Sequence, residues 1–145
     1  MPATKIKACD RIVAGLNPVM IQALQESHES IWKDQEGFPK LAIYALEELY
    51  WVMFRTPPSE APELPAFNPE EKFPSPPSKL RRAEDGYFLV LIPDLIEQEY
   101  NLLLRAHDYN KTGLLNRALV LQYRAVRQMQ ASRGNQGFLA KYPEL

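Results

Sequence analysis

The chain lacks most of what catalysis leaves in a sequence. It has one cysteine and two histidines in 145 residues. One cysteine excludes an internal disulfide framework and any multi-cysteine zinc site, and it fits a reducing, cytoplasmic compartment. The six glycines fall singly at turns and expected helix ends, so no Walker, dinucleotide-binding or nucleophile-elbow loop is present. Charge of one sign is not in excess either: 17 basic against 18 acidic residues, net −1, is unlike a polybasic protein. The longest apolar stretch, residues 41–54, is 14 residues long and contains Glu47 and Glu48. A membrane-crossing helix needs about 20 apolar residues, so no membrane association is expected. The first ten residues interrupt their apolar content with charges, unlike a signal-peptide core.

What is present reads as one globular domain over residues 1–145. Hydrophobic residues are 46% and charged residues 24%, which are ordinary globular values. A chain of this length buries roughly 68–70% of its unfolded surface, enough for a core without covalent staples. Proline is the excess, 13 residues. The pattern predicts a mostly α fold: a single compact domain of four or five helices, a proline-rich extended segment at mid-chain, and one short strand or hairpin near residues 80–92.

Residues 1–56 read as helical. Thr4 is placed as the cap of a short helix over Lys5–Ala14, with Ile6, Cys9, Ile12 and Val13 on one side and Gly15 as its stop. Asn17-Pro18 is a cap residue followed by proline at the first helical position. The helix it opens is expected to reach Gln35, with Gly37 ending it and Met20, Ile21, Leu24, Ile31 and Trp32 on the apolar side. Phe38-Pro39 opens a second helix ending near Arg55. Twelve of the residues 41–54 are apolar, which predicts a central helix covered by neighbours. Its aromatic residues Tyr44, Tyr50, Trp51 and Phe54 are expected in the core, and Glu47 and Glu48 on a solvated edge.

Residues 57–78 contain eight prolines. Each proline removes a backbone donor and biases its predecessor toward extended geometry. Because Leu64, Phe67 and Phe73 punctuate the segment, it is expected to be a strap on the helical body rather than a free linker. Residues 79–135 carry the C-terminal helices. Tyr87–Ile92 reads as a buried strand or as first helical turns, which periodicity does not separate. Pro93-Asp94 starts a helix to Asp108, residues 109–113 turn, and a last helix spans Leu114–Ser132 with Gly134 as its stop. Residues 136–145 are expected to be a loosely held tail.

The candidate chemistry is sparse. His28 and His107 each fall on an apolar helical stripe, where a satisfied core histidine is the ordinary outcome. Cys9 has no adjacent histidine and reads as a small buried hydrophobe. No cofactor and no metal are expected. The arginines are more informative. Residues 100–145 are net +5, so residues 1–99 are net −6. Arg117, Arg124 and Arg127 share the face of the last helix opposite its core residues, and Arg133 follows just beyond. Arginine suits bidentate contact with phosphate or carboxylate. The face has three candidate roles: a solvated surface, a dock for an acidic partner (including the chain's own acidic strap), or a grip on a nucleic-acid backbone.

The function expected from this pattern is non-catalytic: a protein–protein interaction module such as a small adaptor, assembly factor or complex subunit, with a protein partner or a second copy of itself. The alternative is an accessory RNA- or DNA-binding subunit that contacts phosphates through Arg117, Arg124, Arg127 and Arg133.

Overall fold

The computed structural model describes residues 10–15, 17–27, 37–68, 70 and 87–145. The chain enters as strand β1, Asp10–Gly15, followed by helix α1, Pro18–Ser27, and helix α2, Gly37–Tyr50. A wide π-helical turn, Trp51–Arg55, continues α2, and an extended proline-rich stretch follows it. Strand β2, Tyr87–Ile92, leads through a 3-10 turn at Asp94–Ile96 into α3, Glu97–Ala106. The long helix α4, Lys111–Ser132, and the short α5, Gln136–Lys141, complete the fold. The protein is mostly helical, as its pattern predicts.

The N-terminal helix expected over Lys5–Ala14 is not formed in its described part, Asp10–Ala14. Asp10–Gly15 is a strand, paired antiparallel with β2 in the register Asp10↔Ile92 to Gly15↔Tyr87. Ile12 and Val13 are β-branched residues that lose side-chain freedom in a helix and suit a strand. Their partner lies more than 70 residues away, out of reach of any local pattern. Residues 1–9, with Thr4 and Cys9, lie outside the described residues. The apolar run 87–92 resolves as a strand, with Val90 and Ile92 buried and Leu91 exposed between them, the alternation a strand imposes. Its partner is β1, so the two do not form a hairpin.

Gly37 opens α2 rather than closing the helix before it. α1 is described to Ser27; its expected extension to Gln35 lies outside the described residues, as do the side chains of His28, Ile31 and Trp32. Asparagines cap three helices: Asn17 Oδ1 accepts from Val19 N at 2.9 Å, Asn110 Oδ1 from Gly113 N at 2.8 Å, and Asn135 Oδ1 from Phe138 N at 3.1 Å. Each satisfies an amide with no intrahelical partner. α4 stops as expected at Gly134, whose φ of +72° is the left-handed conformation glycine adopts cheaply. The paired bonds Gly134 N to Ala131 O and Asn135 N to Gln130 O, both 3.0 Å, complete a Schellman closure.

The central helix is α4, not α2. It packs on α2, α1, α5, β1 and α3, and buries Leu114, Leu115, Ala118, Leu119, Leu121, Tyr123 and Val126. α2 contributes Leu41, Ala42, Ala45, Leu46 and Leu49 to the same core. The segment expected to be a loosely held tail is ordered: Phe138 and Tyr142 are buried, and the Tyr142 hydroxyl donates to Glu26 Oε2 of α1 at 2.5 Å.

Candidate functional site

Two regions of the fold carry the residues singled out by the sequence: the arginine face of α4 and the aromatic row of α2.

The proline-rich strap lies on the first half of α4. Pro65 is buried and Leu64 packs on the core. Arg117 Nε donates to Pro65 O at 2.8 Å, and the Phe67 ring meets His107 edge-on at 4.6 Å. Room for that ring comes from Gly113, where a Cβ would sit 2.8 Å from Phe67 Cε2. Of the expected strap, residue 69 and residues 71–78 lie outside the described residues.

His107 is fully buried at the end of α3. The two residues after it, Asp108 and Tyr109, hold positive φ values of 52° and 60°, an uncommon conformation for non-glycine residues. Bonds from Tyr109 N to Leu104 O and from Asn110 N to His107 O maintain this turn. The partners of the imidazole fix its tautomer. Nδ1 lies 2.7 Å from Leu103 O and must donate to it, so Nε2, 3.0 Å from Arg117 Nη1, accepts from the guanidinium. Burial pushes the His107 pKa below its ordinary value; the backbone bond opposes this and the Arg117 charge reinforces it. Both ring nitrogens are engaged, so the ring has no free nitrogen to offer a substrate.

The second half of α4 holds the chain's last residues. Tyr123 OH donates to Pro143 O at 2.5 Å. Arg127 donates from Nε to Tyr142 O at 2.8 Å and pairs through Nη1 with Glu144 at 3.3 Å. Arg124 Nη2 reaches Leu145 O at 3.2 Å. Arg133 is exposed as the C-cap of α4; its amide donates to Met129 O, and its guanidinium has no bonding partner among the described residues. The four arginines therefore do not form one open cationic face. Three of them hold main-chain carbonyls of the same chain, and only Arg133 stands apart. On α2, the Glu48 carboxylate accepts from the buried Gln122 amide, so one of the two expected solvated glutamates fastens α2 to α4 instead.

The aromatic row of α2 departs from its expected core placement. Tyr50 is buried, but Tyr44 is 58% exposed, Trp51 60% and Phe54 43%. Trp51 follows Tyr44 by seven residues, two turns along one face of α2, and Phe54 lies in the π-helical turn that continues it. The π-helical turn presents the last two. Thr56 N and Oγ1 both donate to Trp51 O, and Phe54 leans on Tyr50 with ring centroids 5.4 Å apart. Turns of this kind recur at functional positions. Leu91, Leu95 and Leu102 are also exposed, on β2, the 3-10 turn and α3.

Among the described residues no three His, Cys, Asp or Glu side chains gather to hold a metal ion, and no helix is long and apolar enough to cross a membrane. No family model, curated protein or solved structure matches the chain.

Proposed function

We propose that the protein is a non-catalytic protein–protein interaction module, an adaptor or complex subunit in a reducing, cytoplasmic setting, whose dock is the row Tyr44, Trp51 and Phe54. The exposure of three large aromatics along α2 and the π-helical turn that continues it carries this reading. A solvent-facing helix gains nothing by presenting tryptophan, tyrosine and phenylalanine to water, whereas these residues serve a protein interface well. Tryptophan and tyrosine dominate binding energy when a partner buries them, and contiguous exposed apolar surface marks interaction sites. The partner is a protein with an apolar groove or pocket, or a second copy of this chain.

The backbone-binding alternative has less support, because Arg117 and Arg127 are already committed to carbonyls of the strap and of residues 142–145. A grip reduced to Arg124 and Arg133 predicts a weak salt response on single-stranded RNA, with a log–log slope of about −1.4 rather than the roughly −3 of four phosphate contacts.

The test is co-purification from the source cells with tagged wild-type protein and with the double variant Tyr44→Ser, Trp51→Ser. A protein retained by wild type and lost by a variant of unchanged melting temperature supports the reading. Equal recovery by both, or a salt slope near −3 on single-stranded RNA, refutes it.

A further inference from the structure

The strap meets the helical body where Phe67, Arg117 and His107 converge. Arg117 of α4 links the other two. Its Nη1 donates to His107 Nε2 at 3.0 Å and its Nε to Pro65 O of the strap at 2.8 Å. Its Cζ lies 6.0 Å from the centroid of the Phe67 ring, and that ring rests edge-on against the imidazole at 4.6 Å. Phe67 has this seat because Gly113 carries no side chain: a Cβ there would meet Cε2 of the ring at 2.8 Å. Pro62 and Pro65 have no amide with which to fasten the strap, and the donor that reaches its main chain here is the guanidinium.

This arrangement requires a neutral imidazole. Nδ1 already donates to Leu103 O, so a second proton goes to Nε2 and turns that acceptor into a donor. Two N–H groups and two positive charges then face each other across 3.0 Å, in surroundings too buried for water to screen them. Of the two groups, the imidazole is the fixed one: it is fully buried and tied to its own helix. The guanidinium is half-buried on a long side chain with a path to water. Among the described residues, Arg117 is the charged group that acts on the ring. The strap offers Phe67, α3 offers Leu103 O, and the π-helical turn brings Met53 Sδ to 3.9 Å from the same Nη1; none of these titrates. Arg105 and Asp108 beside His107, Lys111 of α4, Arg55 of the π-helical turn, and Glu63 and Glu70 of the strap are exposed.

We propose that this cluster is a proton-operated latch: when His107 takes up a second proton, the Arg117 guanidinium swings out, Pro65 O loses its donor, and the strap around Pro65 and Phe67 lifts from α4 while the helical body stays folded. The first consequence of that proton is local, a change of conformation within the folded chain. The direction follows from linkage. Burial favours the neutral ring in the closed form, and an open strap returns the ring to water, so the open form binds the proton more readily. Closure is therefore complete above the ordinary value of 6.5 and gives way as pH falls below it. Over that range the ratio of open to closed chains rises by up to about tenfold per pH unit. The latch is separate from the aromatic row of α2 and stands or falls independently of it.

The test is an NMR titration of the isotope-labelled full chain from about pH 8 to about pH 5, the range in which histidine changes charge. The chain has only two histidines, so the ring signals of His107 are readily assigned. The expected result has three parts. The His107 signals titrate with a midpoint below 6.5. Cross-peaks from the Phe67 ring to His107 and Gly113 fade over the same range. The methyl signals of the buried Leu46, Leu49 and Leu119 hold their positions. His107→Gln, which offers Arg117 an acceptor that takes no proton, should keep the Phe67 to Gly113 cross-peaks throughout; if that variant does not seat the strap even at the start, the wild-type titration decides alone. Titration of His107 with its Phe67 cross-peaks intact would overturn the proposal. So would a strap that stays seated to the end of the range, loss of the strap and core signals together, or a His107→Gln strap that is seated at the start and opens with the wild-type midpoint.

Discussion

Arg117 and Arg124 lie two turns apart on one helix, and a solvated arginine face would make them equivalent. Their surroundings make them unequal. Replacing Arg117 by alanine removes the bond to Pro65 O and the bond to His107 Nε2. It leaves a buried imidazole nitrogen and the carbonyl of a buried proline without donors. Each orphaned group costs about 1–3 kcal/mol. Part of this is returned because a half-buried guanidinium no longer has to be desolvated, so the net loss should be about 3 kcal/mol. For a domain of this size that lowers Tm by about 6–12 °C. Arg124→Ala removes one exposed bond at 3.2 Å and should fall within about 0.5 kcal/mol of wild type, as surface changes do. The assay is urea or thermal unfolding of both variants at neutral pH, followed by far-ultraviolet circular dichroism. Phe67→Ala, which unseats the strap without touching α4's charge, should destabilise in the same sense as Arg117→Ala. The pair Phe67→Ala, Arg117→Ala should lose less than the sum, because both act on one contact. Equal stability of the Arg117 and Arg124 variants would refute the strap clamp and return the whole face to solvent.

Further outcomes follow from other contacts. Gly113→Ala usually stabilises a helix by about 1 kcal/mol; here the added Cβ meets Phe67 and Asn110 at 2.8 and 2.9 Å, so urea unfolding should show a loss of about 1–3 kcal/mol instead. Stability should fall as pH drops below 6.5: His107 is held neutral in the fold, so the unfolded chain binds the extra proton and gains population as acid is added. His107→Gln, which keeps an acceptor for Arg117, should flatten that slope in urea midpoints measured across the range. The Glu26 carboxyl is held below its ordinary value of 4.5, chiefly by the Tyr142 hydroxyl. Its contribution is therefore present above that pH and lost below it, and Glu26→Gln should remove the acid-dependent loss. Leu119→Ala, in the fully buried stripe of α4, should cost about 2–5 kcal/mol in the same assay.

Elements whose determinants are local were legible in the residues. Asn17-Pro18, the apolar period of residues 41–54 and Gly134 each placed a boundary within a few positions, because a cap or stop is written within one turn of the helix it bounds. β1 was not legible. Six residues with Ile12 and Val13 between a charge and a glycine satisfy a short helix as well as a strand, and the deciding partner, β2, lies on the far side of two helices. The order of residues 136–145 was hidden for a related reason. Phe138 and Tyr142 lie four apart with their rings in contact, and what fastens Tyr142 is Glu26, more than a hundred residues earlier. A helical wheel groups Arg117, Arg124 and Arg127 on one side of α4, but it does not reveal which parts of the same chain they hold. The signal was present in the strap, where Leu64 and Phe67 mark a segment that packs rather than dangles. The aromatic row of α2 was assigned to the core because twelve apolar residues in fourteen imply burial on all sides. α4 took the central position instead, and α2 kept a face of its own in water.

That face is tested most directly by one affinity ratio. A protein that co-purifies with wild type is purified and titrated calorimetrically against wild type, Trp51→Ala and Arg133→Ala. A tryptophan at the centre of an interface costs about 2 kcal/mol or more when truncated, so Trp51→Ala should weaken binding at least about thirtyfold while Tm stays unchanged, and Arg133→Ala should bind as wild type does. Binding insensitive to Trp51 but reduced by Arg133→Ala would place the dock on the cationic end of α4 and contradict the aromatic ridge.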